Sequence, residues 1–143
     1  MSHAMTTTER EEFLAGVHVG VLGIDTETGC LAVPIWYDYE PGGDITIVTG
    51  AESVKGRALG ATRRFSLCAQ DEAPPYKYVT VEGEVTSVEP CPVDVNRAMA
   101  HRYLGPEFGD LYIDANADHA DANRLYRLTP QRWYTVDYAK DFA

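Results

Sequence analysis

Two four-residue turns constrain the fold of this chain more than any other feature: TETG at residues 26–29 and EPGG at residues 40–43. They separate three short runs, at residues 17–25, 30–39 and 44–50, that are rich in β-branched and aromatic side chains. Runs of this length and composition between tight turns are typical of antiparallel strands joined as hairpins. The first third of the chain is therefore predicted to contain three successive strands.

Four later segments have the same character and predict further strands at residues 64–70, 76–89, 124–130 and 132–138. Pro34 lies inside the second strand of the chain. Because proline has no N–H group to donate, that strand is predicted to lie at a sheet edge or to bulge at Pro34. Short strands with tight turns indicate a small β-barrel, since closure removes the exposed edges that such strands otherwise leave.

Three short segments carry helical signals. A capping box between Thr8 and Glu11 is predicted to begin the first helix. Ser53 is a suitable N-cap for a second helix over residues 53–61, and apolar residues at helical spacing predict a third over residues 94–104. The chain is therefore predicted to be mainly β, with six to seven antiparallel strands and two to three short helices.

A single domain is expected, because 143 residues with 45% hydrophobic content suffice for one core. Residues 1–8 are expected to be a disordered terminus or a tag remnant, and residues 9–143 to form the domain. The three cysteines are irregularly spaced, which argues for free thiols and against a disulfide framework or a zinc site. Because no secretory leader is evident, we expect a cytoplasmic protein.

The net charge of −10, from 12 basic and 22 acidic residues, narrows the classes of partner. A nucleic-acid-binding protein needs a broad basic surface that displaces counterions from phosphates. An anionic membrane likewise attracts basic surfaces, and no apolar run in the sequence is long enough to span a bilayer. Neither nucleic acid nor a membrane is therefore expected as a partner.

One local stretch departs from this acidic composition. Residues 53–70 contain no acidic residue but four basic ones: Lys55, Arg57, Arg63 and Arg64. A helix that begins near Ser53 offers unpaired N–H groups and a partial positive charge, and the Thr49 hydroxyl lies close by in the sequence. This set suits a phosphate or another anion, while the alternative is a solvated helix face with ordinary surface charges.

Three motifs then occur in a specific order: Val-Pro-x-Trp from Val33, Thr-Gly-x-x-Ser-x-Lys-x-Arg from Thr49 and Tyr-x-Thr-Val-x-Gly from Tyr78. In this order and spacing they resemble the flavin- and deazaflavin-binding split-barrel family related to pyridoxamine 5'-phosphate oxidase. The resemblance is strongest to the actinobacterial branch, whose members often use the deazaflavin coenzyme F420. It implies a split β-barrel that forms a homodimer, with cofactor sites at the subunit interface and oxidoreductase activity on a small molecule.

By matching positions, the resemblance also implies which residues bind the cofactor. The ring system would lie against Val33, Pro34, Ile35 and Trp36. The polyol chain and phosphate would lie beside Val48 and Thr49, with the phosphate held by Ser53, Lys55 and Arg57. Tyr76 and Tyr78 would approach from the partner subunit, and Trp133 matches a late aromatic residue near the ring. No metal ligand is implied, and the redox chemistry would belong to the cofactor.

F420 is favoured over FMN as that cofactor. The vitamin oxidase pattern has basic residues in the second strand, where this chain has Ala32 and Tyr37, and a basic residue after the late tryptophan, where this chain ends DYAKDFA. F420 carries a phosphate and a glutamate tail, which would use more of the basic stretch. The predicted activity is hydride transfer from reduced F420 to a small unsaturated or heteroaromatic substrate.

Three alternatives to an F420 enzyme stay open. One is an FMN-dependent oxidase or reductase of the same fold. Another is a non-enzymatic cofactor or haem binder, for which only His18, His101 or His119 could supply an axial ligand. A third is a structural barrel without a ligand. A calcium site at DANADHAD is not expected, because His119 stands where an EF-hand loop needs glycine and Leu125 where it needs glutamate.

Overall fold

The computed structural model describes residues 2–142, which form one seven-stranded antiparallel sheet with helices packed around it. The strands are β1 Gly20–Thr26, β2 Gly29–Ile35, β3 Asp38–Tyr39, β4 Ile45–Gly50, β5 Arg64–Asp71, β6 Lys77–Pro90 and β7 Asn123–Asp137. The helices are α1 Thr7–Ala15, α2 Val54–Thr62 and α3 Val93–Ala115, with short 3₁₀ helices at Ala117–Ala122 and Tyr138–Phe142. The predicted fold class, mainly β with few helices, is confirmed.

The strand order β2-β1-β5-β6-β7-β4-β3 explains how this sheet becomes a split barrel. β2 and β3 are the two edge strands, yet only Trp36 and Tyr37 separate them in the chain. The sheet therefore curls until both of its edges meet at one continuous segment. Pro34 lies in β2, so the prediction that its strand is at an edge is also confirmed.

The two strands predicted at residues 124–130 and 132–138 are one continuous strand, β7. It pairs with β6 on both sides of a bulge, where Glu82 lies opposite Arg132 and Gly83 opposite Pro130. The Pro130-Gln131 step, at which the two predicted strands were divided, is this bulge. Gly83 is required there, because a Cβ atom at this position would lie 1.9 Å from the Thr129 carbonyl oxygen.

The core lies inside the curled sheet and follows the period of two expected of strands with one buried face. Alternate residues are fully or almost fully buried along β1, β4, β5 and β6: Leu22, Ile24, Ile45, Ile47, Leu67, Ala69, Val79 and Val81. Leu14 of α1 and Leu59 of α2 are also fully buried, so these two helices each cover part of the core.

The N-terminal segment differs from its prediction. The capping box of α1 joins Thr6 and Glu9, two residues earlier than the predicted Thr8 and Glu11. Met5 precedes this box, belongs to the core cluster and donates its N–H to the Thr135 hydroxyl at 2.9 Å, which fixes the chain just before Thr6. The Asp137 N–H also donates to the His3 carbonyl at 2.8 Å, so His3 and Met5 both contact β7. That residues 1–8 are a disordered terminus or a tag remnant stays a prediction.

The third helix is longer than predicted. Its first segment ends at Gly105, whose φ of 82° is not helical, and a second segment begins at Pro106 and continues to Ala115. The predicted helix stopped at Leu104, just before a Gly-Pro pair of the kind that usually ends a helix. No helix among residues 2–142 is long and apolar enough to cross a membrane.

Candidate functional site

A cleft of about 370 Å³ opens where the ends of β2 and β4 meet the beginning of α2. Six of the twelve predicted site residues line it: Pro34, Ile35, Trp36, Val48, Thr49 and Lys55. These residues come from three separate elements, and the curl of the sheet brings them together. Val19, Gly50, Tyr112 and Asn123 also line the cleft, and sequence reasoning did not identify them.

The beginning of α2 is held tightly against the end of β4. The Ser53 hydroxyl accepts a hydrogen bond from the Gly56 N–H at 3.0 Å and donates one to the Gly50 carbonyl at 2.7 Å. The Thr49 hydroxyl lies 3.1 Å from that of Ser53, and Thr49 is buried. A Cβ atom on Gly56 would lie only 2.1 Å from the Gly50 carbonyl oxygen, so only glycine permits this approach.

This geometry leaves anion-binding groups at the cleft. The backbone N–H groups in the first turn of a helix have no acceptor within the helix. In α2 the Ser53 hydroxyl accepts the hydrogen bond from the Gly56 N–H. The N–H groups of Val54 and Lys55 precede it in the same turn, which contains no acidic residue. The Lys55 side chain lines the cleft beside them. Exposed Glu52 is the one carboxylate immediately before the N-cap.

The basic residues of the 53–70 stretch also form no ion pair with a carboxylate among residues 2–142. Six of the twelve lysines and arginines of the chain form ion pairs with carboxylates: Lys77, Arg97, Arg102, Arg127, Arg132 and Lys140. Within residues 2–142, none of the four basic residues of the 53–70 stretch lies within 4.0 Å of a carboxylate oxygen. Arg63 instead donates to the Val85 carbonyl at 2.9 Å. Lys55, Arg57 and Arg64 thus keep their charges for solvent or a ligand.

The opposite wall of the cleft is aromatic. The Trp36 ring stacks on Tyr103 with centroids 5.1 Å apart and lies 5.3 Å from the Tyr112 ring at a tilted angle. The Tyr103 hydroxyl donates to the His18 carbonyl at 2.6 Å and accepts from the Tyr37 N–H at 3.0 Å. Burial raises the pKa of Tyr103, so its hydroxyl stays protonated and holds α3 against the β2–β3 junction.

The cleft contains little acid–base chemistry of its own. Among its lining residues only Lys55 and Tyr112 can titrate, and no carboxylate or imidazole is present. A paired general acid and base, as hydrolytic sites use, is therefore missing from this cleft. The arrangement suits a bound group that brings its own reactivity, with an anion at one end and a planar ring at the other.

Six predicted site residues do not line this cleft. Val33 packs against the core, because alternate residues of β2 point to opposite faces. Ser53 is the N-cap of α2, and Arg57 lines a groove of about 750 Å³ on the other side of this helix. Tyr76 is exposed and Tyr78 half-buried, while Trp133 packs against the core with the Arg10 guanidinium 4.6 Å from its ring centroid. That Tyr76 and Tyr78 approach a cofactor from a partner subunit, and that Trp133 lies near its ring, stay predictions.

The four cleft residues that sequence reasoning missed lie in different parts of the chain. Tyr112 and Asn123 follow the Gly105-Pro106 break, beyond which no helix was expected, and Val19 precedes β1. Gly50 falls within the motif from Thr49 and was therefore the one with a usable signal. The Gly50 carbonyl accepts the hydrogen bond from the Ser53 hydroxyl and lies close to Gly56. These two contacts join the end of β4 to the beginning of α2.

The histidines lie elsewhere. His18 contacts the Phe13 carbonyl at 3.1 Å, His101 pairs with Asp110, and His119 belongs to the 3₁₀ helix after α3. None of the three lines the cleft. In the described part of the chain, no group of three or more His, Cys, Asp and Glu side chains is arranged to hold a metal ion.

A row of side chains crosses the outer face of the sheet and ends at the cleft. Its members lie directly opposite one another on five neighbouring strands: Pro34, Val21, Cys68, Thr80 and Tyr134. No member carries a charge, and Val21 and Tyr134 are 43% and 61% exposed. Pro34 belongs both to this row and to the cleft wall, so the uncharged row is continuous with the site.

No family model matches the chain, and no curated protein matches it significantly. Solved structures do match it. The conserved hypothetical protein Rv2991 from Mycobacterium tuberculosis is 21% identical with a TM-score of 0.78, over 98% of this chain and 89% of that one. An F420 reductase is 22% identical with a TM-score of 0.72, over 87% and 94%. A protein provisionally named pyridoxamine 5'-phosphate oxidase, from Listeria innocua, is 11% identical with a TM-score of 0.64, over 90% and 96%. The chain therefore has the fold of the pyridoxamine 5'-phosphate oxidase-like proteins.

Proposed function

We propose that this protein is an oxidoreductase that binds F420 in the cleft and transfers hydride from the reduced coenzyme to a small unsaturated or heteroaromatic substrate. One observation carries the proposal. The unpaired Lys55 and the beginning of α2 face the Pro34–Trp36 wall across a single cleft. That the fold is shared with an F420 reductase adds support.

The donor set of the cleft fits such a cofactor. Lys55, the N–H groups of the first turn of α2 and the Thr49 hydroxyl would hold the phosphate, because charge-assisted bonds at a helix N-terminus favour anions. Pro34 and Ile35 would support the ring, and the edge position of β2 keeps their backbone accessible. Trp36, stacked on Tyr103, would close the ring's far side. The deazaflavin supplies the hydride, and the protein orients it and excludes water.

The position of Arg57 favours F420 over FMN. Arg57 lies outside the cleft, in the groove between α2 and the β1–β2 hairpin. That groove adjoins a depression of about 360 Å³ lined by Arg64, since Asp25 and Cys30 line both. A ligand with one phosphate would end at Lys55, whereas a glutamate tail would continue around α2 to Arg57. Asp25 and Glu27 line the far side of the groove and would repel the tail toward Arg57.

The proposed active unit is a homodimer. The uncharged outer row from Pro34 to Tyr134 supports this, because a row without charged side chains next to a cleft can be buried without desolvating a charge. A second copy packed on this face would also bring residues such as Tyr76 and Tyr78 close to the cleft of the first. The cofactor would then be enclosed between two subunits.

The proposal is tested by titrating the purified protein with F420 and, separately, with FMN, following tryptophan quenching and cofactor emission. Tight binding of F420 with weaker binding of FMN is expected. The reverse order would favour the FMN-dependent alternative, and binding of neither would overturn the proposed cofactor. Reoxidation of bound reduced F420 by an added acceptor, faster than that of free reduced F420, distinguishes an enzyme from a cofactor-binding protein.

A further inference from the structure

The two segments of α3 are in direct contact beyond their junction at Gly105. Gly109 of the second segment lies against His101 of the first, where a Cβ atom would be 2.5 Å from His101 Cδ2 and 3.0 Å from its backbone nitrogen. Any side chain at this position would separate the two segments. The absence of a Cβ atom at Gly109 therefore allows the second segment to lie where it does.

Asp110 joins the same two segments through polar contacts. Its Oδ1 atom accepts hydrogen bonds from Arg97 Nη1 at 2.7 Å and from His101 Nε2 at 2.7 Å. Both donors belong to the first segment and Asp110 to the second, so the contacts cross the Gly105 junction. These bonds, to His101 first and Arg97 second, hold the pKa of Asp110 below its usual value.

This contact lies close to the cleft. Tyr112, two residues after Asp110, lines the cleft, and its ring lies 5.3 Å from that of Trp36. Tyr103 of the first segment stacks on Trp36 at 5.1 Å. Trp36 is thus contacted by both segments, and the distance between its ring and Tyr112 depends on how the second segment is held.

We infer that Asp110 is a positioning residue of the cleft: by joining Arg97 and His101 across Gly105, it sets the place of Tyr112 against Trp36. The role in cofactor binding rests on the proposed function, whereas the role in placing Tyr112 does not. Because the Asp110 side chain is half exposed, its removal should leave the core intact. The effect should instead appear at the cleft end that Tyr112 covers.

The test uses a Trp133→Phe background, in which Trp36 is the only tryptophan. Without ligand, we expect Asp110→Ala and His101→Leu to increase acrylamide quenching of Trp36 and to shift its emission. His101→Gln should behave like the background protein, because its amide can donate from near the position of Nε2. With F420, the two disruptive variants should bind about twofold to fivefold more weakly, the range expected for losing an ion pair of this exposure.

Unchanged quenching of Trp36 in Asp110→Ala would overturn the inference, as would equal behaviour of His101→Leu and His101→Gln. Near-ultraviolet circular dichroism of Asp110→Ala in the otherwise unchanged protein repeats the test without Trp133→Phe. Since these readouts need no ligand, they are independent of the proposed cofactor. Altered Trp36 quenching in a protein that binds no F420 would support the positioning role and contradict only the proposed function.

Discussion

Lys55 is the basic residue that lines the cleft, and no carboxylate within residues 2–142 pairs with it. We expect Lys55→Ala to weaken F420 binding by about tenfold or more, because a hydrogen bond to a charged group contributes about 1.5–3 kcal/mol. Adding Arg57→Ala should weaken binding further while the protein still folds. Lys140→Ala is the matched control, since it removes the same charge from a pair with Glu9 that does not line the cleft. Equal affinities in all of these proteins, measured by fluorescence titration, would exclude the anion site.

Two glycines of α2 offer a paired test of how closely this helix approaches β4. Gly56→Ala places a Cβ atom 2.1 Å from the Gly50 carbonyl, and we expect a loss of about 1–3 kcal/mol in unfolding free energy from this overpacking. Gly60→Ala meets nothing within 4 Å and should stabilise the helix by about 0.5–1 kcal/mol. Urea denaturation measures both, and a Gly56→Ala protein as stable as Gly60→Ala would mean that the contact is looser than described.

At the level of single residues, the sequence predicted part of the candidate site. Residues adjacent in the chain, such as Pro34, Ile35 and Trp36, lie in the cleft because a motif carries them together. Alternation along β2 turns Val33 to the core instead, and helix geometry sends Arg57 to the other side of α2 from Lys55. Tyr112 and Asn123 reach the cleft through long-range packing, which leaves no local trace in the sequence.

At the scale of the elements, the attachment of α1 is expected to depend on pH. The Lys140 side chain first, and the Thr6 N–H second, lower the pKa of Glu9 from 4.5 to about 2. A lowered folded-state pKa means that the ionised carboxylate stabilises the fold above about pH 4.5, and that this stabilisation is lost as the pH falls toward 2. We therefore expect Glu9→Gln to melt below the wild type at pH 7 and the difference to shrink toward pH 2.

Thermal melts of both proteins across this pH range check the expectation. Glu27→Gln, in the β1–β2 turn, removes one carboxylate that forms no ion pair among the described residues and serves as the control. A Glu9→Gln difference that stays constant from pH 7 to pH 2 would show that the carboxylate's charge does not contribute.

Local signals predicted most elements, and the failures have physical causes. The hairpin turns, the edge position of Pro34 and the Ser53 cap are each determined by a few neighbouring residues, and all were confirmed. The start of α1 was misplaced because Thr6 and Thr8 each have a glutamate three residues later, and the packing of Met5 just before Thr6 favours the earlier cap. The continuity of β7 across its bulge depends on pairing with β6, a contact distant in sequence.

For the whole molecule, the proposed dimer predicts that one charge on the outer sheet face separates the subunits. Val21 belongs to the uncharged row and is 43% exposed. Val88, also on a strand but outside the row, is 40% exposed. We expect Val21→Glu to be monomeric and to bind F420 more weakly, and Val88→Glu to stay dimeric. Light scattering coupled to gel filtration measures the mass, and a dimeric Val21→Glu protein would place the interface elsewhere.

The central claim is that a deazaflavin ring lies against the Pro34–Trp36 wall while its phosphate lies at Lys55. The chain has two tryptophans, Trp36 in this wall and Trp133 under Arg10, so each can be observed alone. The most direct measurement is an F420 titration of Trp133→Phe, in which all tryptophan emission comes from Trp36. Saturable quenching of that emission, which in the protein that also carries Lys55→Ala needs about tenfold more F420 or more, is the predicted result. Emission from Trp36 that stays constant while F420 binds would contradict the claim.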